Sequence, residues 1–267
     1  MLRKMFVLFS GMCLLAAVHA ADPQGAVLVN LAGEERMLSQ RVVKAYAQIG
    51  LGVMPDLAVT QMRESIARFD ANLERLRAVA GGDGVAAALD RLAADWGELR
   101  AAAVSVSTRD SALRLSMRSL AVLDAAERLT EAVENAFPGS ANRLVNLAGR
   151  QRMLSQRVAK AYMLHSWGAE SGQIRDEMEA ATRKFSDLLA ALLAEPGNTP
   201  EIRAELDEMA LQWEWLQTAL SAEGAVSYRL VVAEAADSIL ESSDRITQLY
   251  QRLEHTPARA GLPEDRP

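Results

Sequence analysis

A 19-residue segment occurs twice in this chain, and the duplication constrains the fold more than any other feature of the sequence. Residues 28–46 read LVNLAGEERMLSQRVVKAY, and residues 144–162 read LVNLAGRQRMLSQRVAKAY. Similarity at a fixed offset within one chain indicates a repeated structural unit. The two segments differ at only three positions, which are Glu34/Arg150, Glu35/Gln151 and Val43/Ala159.

The similarity continues beyond this segment at an offset of 116 residues. After one inserted residue Trp96 corresponds to Trp213, and residues 122–134 correspond to residues 239–251. The sequence therefore predicts two copies of one unit, at roughly 26–137 and 142–253.

Each copy is predicted to contain four helices. The composition favours helix over sheet, because Ala, Leu, Arg and Glu are abundant and aromatic residues make up only 5%. Short loops between long helices make antiparallel neighbours. We therefore predict an all-α fold of two tandem four-helix bundles, related by internal duplication and a pseudo-two-fold axis. In the first copy, breaks at Gly50-Leu51-Gly52 and at Gly81-Gly82-Asp83-Gly84, and a cap at Ser107 or Thr108, separate helices at about 26–49, 55–80, 85–105 and 108–137.

The first 20 residues have the pattern of a cleaved signal peptide. Arg3 and Lys4 precede an apolar run over 5–18, and Val18-His19-Ala20 has the small-x-small pattern that signal peptidase recognises. The alternative is a single-span anchor, but the run is too short to cross a bilayer comfortably. We therefore expect an exported, periplasmic protein.

Cleavage after Ala20 would remove Cys13, the only cysteine, so disulfide bonds are not expected in the mature protein. Lipid anchoring at Cys13 is disfavoured because bulky Met12 precedes it. The expected division is a signal peptide at 1–20, bundles at 21–137 and 138–255, and a disordered tail at 256–267.

The chain is acidic, with 29 basic and 35 acidic residues and a net charge of −6. Nucleic-acid binding requires a concentrated basic surface, so this class of function is disfavoured. An acidic chain also repels anions at long range, and any anion site must therefore be local.

The repeated first helix is predicted to have two packing faces at about 100° per residue. One face is apolar and consists in the first copy of Leu28, Leu31, Leu38, Val42, Ala45 and Ile49. The second face carries small and polar residues, namely Val29, Ala32, Gly33, Arg36, Ser39, Gln40 and Val43. Small residues let a second helix approach closely, although glycine costs about 1 kcal/mol relative to alanine in a helix. We predict that the second faces of the two first helices pack together, at an interface called the seam, like an isologous dimer.

Arg36 and Arg152 lie in the middle of these second faces and would approach each other at the seam. Two cations about 4 Å apart repel by roughly 4 kcal/mol at an effective dielectric constant of 20, so a negative group is expected between them. A planar oxyanion suits the planar donor fork of a guanidinium group. The predicted ligand-binding residues are Arg36, Arg152, Gly33, Gly149, Ser39, Ser155, Gln40 and Gln156.

The alternative is that both arginines pair with Asp or Glu on a neighbouring helix and hold the two bundles together. Asn30 and Asn146 are expected to cap the helix or to form hydrogen bonds near its start. Arg41 and Arg157 lie about 140° from the second face and are expected to face solvent.

The motif NLAGxxRMLSQR, present at 30–41 and 146–157, resembles that of the PilJ/NarX-type sensory domain. This family comprises extracytoplasmic input regions of type IV pili methyl-accepting transducers and of nitrate/nitrite sensor kinases. The resemblance implies four-helix bundles that hold a ligand between two first helices, through the arginine of the Arg-Met pair. That arginine matches Arg36 and Arg152, the motif glycine matches Gly33 and Gly149, and the second motif arginine matches Arg41 and Arg157.

The chain departs from the nitrate sensor kinases at two motif positions. They have a lysine where this chain has Leu31 and Leu147, and a tyrosine where it has Gln40 and Gln156. Both departures resemble the pilus-transducer version of the motif. The family also signals through a membrane helix into a cytoplasmic region, so a membrane partner is expected here.

These features favour a periplasmic sensory protein that binds a nitrate- or nitrite-like oxyanion between the first helices of its repeats. It would present the bound form to a membrane sensor kinase, chemoreceptor or transporter. The alternative is a non-catalytic adaptor module that docks on such a membrane protein without a small ligand. The sequence is compatible with two arrangements, a seam within one chain and a seam between the two chains of a homodimer.

Catalysis is the weakest interpretation. His165 and His255 are isolated, and the chain has no Glu-x-x-His pair of the kind that forms di-metal sites in bundles. Met37 and Met153 flank the arginines, but methionines at helical spacing usually fill cores. No metal site and no cofactor are predicted.

Overall fold

The computed structural model describes residues 23–79, 82–138, 140–169, 172–221 and 226–254, and within these ranges it contains eight helices and no strand. The predicted all-α fold is confirmed. The helices are α1 (Pro23–Leu51), α2 (Pro55–Val79), α3 (Asp83–Ala103), α4 (Arg109–Ala136), α5 (Ser140–Ser166), α6 (Gly172–Leu193), α7 (Pro200–Ser221) and α8 (Val226–Glu254). The predicted signal peptide, Cys13, His255 and the tail at 256–267 lie outside the described residues.

The two repeats have the same arrangement of four helices. In repeat 1, α1 packs against α2 and α4, and α3 packs against α4 and, less extensively, α2. In repeat 2, α5 packs against α6 and α8, and α7 packs in the same way as α3. The duplicated sequence therefore produces a duplicated four-helix packing.

Stacked aromatic rings join the second and third helices of each repeat. The ring centroids of Phe69 and Trp96 lie 3.8 Å apart, and those of Phe185 and Trp213 lie 3.9 Å apart. These pairs therefore link α2 to α3 and α6 to α7 in equivalent ways.

The most extensive helix contact in the described structure joins α1 to α5, at the seam. Near one end Gly25 lies beside Asn142, and near the other Gly50 lies beside the ring of Trp167. The two first helices therefore run parallel, and α4 ends only a few residues before α5 begins.

The first helix is buried on every side in its central part. Residues 31–40 of α1 are all buried, because α2, α4 and α5 surround this segment. Charged side chains such as Glu34, Glu35 and Lys44 are thereby enclosed together with the apolar residues. Among the described helices, none combines the length and the apolar character needed to span a bilayer.

Candidate functional site at the seam

The structure brings Arg36 of α1 and Arg152 of α5 together at the seam. Their Nη2 atoms lie 3.5 Å and 3.1 Å, respectively, from the position that a Cβ atom on Gly149 would occupy. The Arg36 side chain is completely buried, and that of Arg152 is 2% exposed. Two buried guanidinium groups from different repeats therefore share one space.

Each seam arginine reaches across to an asparagine of the other repeat. Nη2 of Arg36 donates to Oδ1 of Asn146 at 2.8 Å, and Nη2 of Arg152 donates to Oδ1 of Asn30 at 2.6 Å. Asn30 and Asn146 were expected to form hydrogen bonds near the helix start. The structure gives these bonds a reciprocal pattern that ties α1 to α5.

Each seam arginine also pairs with a carboxylate of its own repeat. Nη1 of Arg36 lies 2.6 Å from Oε2 of Glu127 on α4, and Nη1 of Arg152 lies 2.7 Å from Oδ1 of Asp244 on α8. These contacts match the alternative arrangement, in which the arginines pair with acids on neighbouring helices. A buried cation needs such a partner because desolvation of an unpaired charge is costly.

Glu127 and Asp244 belong to the candidate site but were not predicted from the sequence. They occupy corresponding positions within the similar segments 122–134 and 239–251. The presence of an acidic residue at this position in both repeats could have identified them from the sequence. Arg150 of repeat 2 also pairs with Glu127. Burial alone would raise the pKa of Glu127, but Arg36 and Arg150 outweigh burial and hold it below its usual value.

The two motif glycines make room for guanidinium groups. A Cβ atom on Gly33 would lie 2.8 Å from Nη2 of Arg36, and one on Gly149 would lie 3.1 Å from Nη2 of Arg152. These glycines were predicted to allow the close approach of a second helix. Their nearest neighbours are instead side chains, chiefly of the arginine three residues later.

The motif serines do not face the arginine side chains. Oγ of Ser39 donates to the carbonyl oxygen of Arg36, and Oγ of Ser155 donates to that of Arg152, both at 2.9 Å. The hydroxyl protons therefore serve the helix backbone. In this structure, the serine hydroxyl groups therefore do not act as the additional donors predicted beside the guanidinium groups.

The motif glutamines point toward a second polar layer, one turn farther along the seam. Oε1 of Gln40 accepts a hydrogen bond from Nζ of Lys160 at 2.8 Å. Nε2 of Gln156 donates to the carbonyl oxygen of Ala236 at 3.0 Å and lies 3.3 Å from Oδ1 of Asp237. These side chains thus serve the second layer and not the arginine pair.

The expectation that Arg41 and Arg157 face solvent is wrong. Both are half-buried, and Nε of Arg157 donates to Oε1 of Glu177 at 2.8 Å. The reason is that α1 and α5 are each surrounded by three helices, so the side opposite the seam is also covered.

Lys44 and Lys160, at corresponding positions, form the centre of this second layer, and both are completely buried. Nζ of Lys44 lies 2.5 Å from Oδ1 of Asp237 on α8, whereas Nζ of Lys160 lies 2.6 Å from Oε1 of Glu177 on α6. Burial lowers the pKa of both lysines, although the carboxylates oppose this. One lysine is thus paired across the seam and the other within its own repeat.

The arrangement has the chemistry of a binding or coupling site. Within the described part of the chain, Nε of Arg152 has no hydrogen-bond partner, although it is buried. The described residues contain no group of three or more His, Cys, Asp or Glu side chains that could hold a metal ion. The seam therefore offers buried cationic donors with partly exposed carboxylate partners.

A family model described as the type IV pili methyl-accepting chemotaxis transducer N-terminal region, PilJ, matches residues 23–121 and 138–251. The chain belongs to the PilJ family. Because one matched segment lies in each repeat, the PilJ unit occurs twice in tandem. No curated protein and no solved structure matches the chain.

The PilJ family consists of sensory regions of chemotaxis transducers, so this chain is a sensory module of that type. Each matched segment contains one seam arginine, in α1 or in α5. The parallel seam thus joins the first helices of two PilJ units within one polypeptide.

Proposed function

We propose that this PilJ protein is a periplasmic sensory protein that binds a small planar oxyanion at the seam, with nitrate and nitrite as first candidates. The observation that supports this most directly is the convergence of the Arg36 and Arg152 guanidinium groups over Gly149. The unused Nε of Arg152 adds a buried donor that an oxyanion can accept from.

The anion would bind by exchange with the protein's own carboxylates. The side chains of Glu127 and Asp244 are 26% and 30% exposed, whereas those of the two arginines are buried. The carboxylates can therefore turn toward water while the guanidinium groups stay in place. Exchange of one carboxylate for one monovalent anion leaves the charge around the arginines balanced.

Such an exchange would couple binding to helix packing. Glu127 lies on α4 and Asp244 lies on α8, so each carboxylate ties the fourth helix of its repeat to the first. Release of these ties by an anion would shift the equilibrium between a closed and a loosened seam. A membrane chemoreceptor or sensor kinase that binds one of these states would receive the signal.

Calorimetric titration of the protein with nitrate, nitrite, sulfate and phosphate tests the proposal. The double variant Arg36→Ala/Arg152→Ala is expected to lose binding. Glu127→Gln/Asp244→Asn is expected to bind at least about tenfold more tightly, because the competing carboxylates are gone. The control, Arg63→Ala/Arg203→Ala, removes the same charge from exposed positions, one in each repeat, and is expected to bind like wild type.

Two results would overturn oxyanion binding at the seam. One is the absence of binding by wild type and by the carboxylate variant, with both folded by circular dichroism. The other is binding that the seam arginine substitutions leave unchanged. If the alanine variant does not fold, Arg36→Lys/Arg152→Lys takes its place in the titration, because it keeps both positive charges while removing the guanidinium groups.

The second candidate function is that of an adaptor that docks on a membrane sensor without a small ligand. Its support is that each seam arginine already has a carboxylate partner and an asparagine partner. Co-purification with a chemoreceptor that ignores both nitrate and the seam substitutions would favour this function. Co-purification that changes with nitrate would favour the sensor.

We also propose that the protein is exported to the periplasm and that it is not an enzyme. N-terminal sequencing of the protein from a periplasmic fraction is expected to begin at Ala21. A product that retains Met1 would contradict the proposed cleavage.

A further inference from the structure

The outer face of α7 and α8 is apolar at positions where the fold does not require it. Leu211, Trp215, Leu230 and Val231 are 58%, 75%, 43% and 39% exposed. Three of them, Leu211, Trp215 and Val231, line a groove of about 520 Å³ between the two helices. Exposed apolar side chains that line one groove make it a candidate interaction surface.

The corresponding face of repeat 1 lacks the large apolar residues that line the groove of repeat 2. By the offset of the third and fourth helices, Trp215 corresponds to Glu98, Val231 corresponds to Arg114, and Leu211 corresponds to Ala94. Because repeat 1 folds in the same way with these residues, the apolar groove of repeat 2 is not needed for packing. It will be called the α7–α8 groove.

The rim of the α7–α8 groove is acidic, since Glu208 and Glu234 flank the apolar residues. An anionic lipid surface is disfavoured as an occupant by these charges, and so is a second α7–α8 groove placed face to face. The groove therefore fits a partner with basic residues around an apolar centre.

The outer face of α3 and α4 has this chemistry. Arg91 on α3 and Arg114 and Arg118 on α4 are exposed there, as is Met117 on α4, which is 59% exposed. Arg91 and Arg118 pair only with the surface acids Asp95 and Glu98. Exposed pairs of this kind contribute little stability, so these arginines are available for exchange. This surface will be called the α3–α4 face.

We propose that the α7–α8 groove of one molecule binds the α3–α4 face of a second copy of this chain. Trp215 would contact Met117 and an arginine of that face, through sulfur–aromatic and cation–π contacts. Glu208 and Glu234 would pair with the remaining arginines.

The proposed contact is heterologous, because it joins two different surfaces. Each molecule keeps one free groove and one free face after a contact forms, so association continues head to tail into larger assemblies. The seam is not part of the contact, and anion binding and assembly are therefore separate properties.

Sedimentation velocity from micromolar to near-millimolar protein tests the proposal. Wild type is expected to show concentration-dependent growth in sedimentation coefficient. Trp215→Glu introduces the residue type that repeat 1 has at this position, and it is expected to weaken association at least about tenfold. Leu193→Glu, a control at an exposed leucine outside the groove, is expected to behave like wild type.

Charge reversal provides a second and sharper test. Glu208→Arg/Glu234→Arg alters the groove, and Arg114→Glu/Arg118→Glu alters the face, so each variant alone is expected to be monomeric. An equimolar mixture of the two is expected to regain head-to-tail association in alternating order, because the reversed groove complements the reversed face and the unchanged face complements the unchanged groove. Monomeric wild type, an unaffected Trp215→Glu variant, or failure of the mixture to associate would each overturn the proposal.

Discussion

Glu35 and Gln151 occupy corresponding positions in the two repeats, but of the two only Gln151 has a hydrogen-bond partner in the described structure. Its Nε2 donates to the carbonyl oxygen of Phe185 at 3.2 Å. Glu35 is fully buried with both carboxylate oxygens unpaired, and the neighbouring amide of Asn72 donates instead to Glu34. Burial raises the pKa of Glu35 well above its ordinary value, the nearby Asn72 amide opposes this only in part, and Glu34 raises the pKa further.

The raised pKa predicts that Glu35 makes the protein less stable as the pH rises. The folded state keeps a proton that the unfolded state releases above about pH 4.3, so stability falls as the pH increases through the folded-state pKa. Glu35→Gln is expected to raise the free energy of unfolding at pH 8 by about 1 to 3 kcal/mol. The gain should shrink toward pH 4. Urea unfolding across this pH range measures both effects.

The matched control for this prediction is Gln151→Glu. It places a carboxyl group at the equivalent buried position of repeat 2, and it is expected to add a second loss of stability with rising pH. If Glu35→Gln showed the wild-type pH slope, the buried carboxyl group of Glu35 would not be protonated in the folded state.

Gly33 is predicted to be required because the Arg36 guanidinium group lies where a Cβ atom would go. That group is held by Glu127 and Asn146, so Gly33→Ala must displace it and break hydrogen bonds. The loss, about 1 to 3 kcal/mol for unpaired buried groups, should exceed the gain of about 1 kcal/mol in helix propensity.

Gly97, in the middle of α3, is the control for Gly33 because a Cβ atom there would meet no atom within 4 Å. Gly97→Ala is expected to increase stability by about 0.5 to 1 kcal/mol in urea unfolding. Equal stability gains at both glycines would show that the guanidinium group of Arg36 is free to move.

The pair of Lys44 and Asp237 is predicted to be far more sensitive than a surface pair. Lys44→Met leaves the partly buried carboxylate of Asp237, which is 20% exposed, without its cation, and it is expected to cost about 2 to 3 kcal/mol. Arg128→Ala, which removes one member of an exposed pair with Asp124, is expected to leave the unfolding temperature nearly unchanged. Thermal unfolding of both variants at pH 7 measures the difference.

Acid sensitivity should follow from the same pair. Burial would raise the pKa of Asp237, but Lys44 outweighs burial and holds it below its ordinary value. The stability from this group is therefore present at neutral pH and lost as the pH falls through the folded-state pKa. Lys44→Met/Asp237→Asn is expected to recover part of the stability lost in Lys44→Met and to lose this acid dependence. A double variant no more stable than Lys44→Met would contradict the pairing.

Gly50 is predicted to hold the end of the seam together through its contact with Trp167. A Cβ atom on Gly50 would overlap the indole ring of Trp167, so Gly50→Ala must push the ring away. We expect a loss of about 1 to 3 kcal/mol from this overpacking, together with a change in tryptophan fluorescence. Trp167→Leu should abolish most of the additional cost of Gly50→Ala, and additive effects would contradict the contact.

The sequence was sufficient to predict the repeats, the helices and their break points. Glycine- and proline-containing breaks such as Gly50-Leu51-Gly52 are local features that end helices in any context. The second face of the first helix also indicated contact between the copies, because Gly33 and Gly149 are otherwise costly in a helix.

The partners of the seam residues could not be predicted in the same way. The orientation of α4 and α8 decides that Glu127 and Asp244 reach the arginines, and helical periodicity contains no information on that rotation. From the sequence, Ser39 could donate either to a ligand or to its own helix, whereas in the structure it donates to the backbone carbonyl of Arg36. Burial of Lys44 follows only from the packing of three helices around α1.

The short connection between α4 and α5 fixes the stoichiometry of the seam. Two separate PilJ chains would pair to an extent that depends on their concentration, and they could exchange subunits with relatives. Here α5 is always present near α1 at a high effective concentration, even when the protein is very dilute. Each half can also mutate independently, and this freedom is already visible where one repeat has an acid and the other an amide.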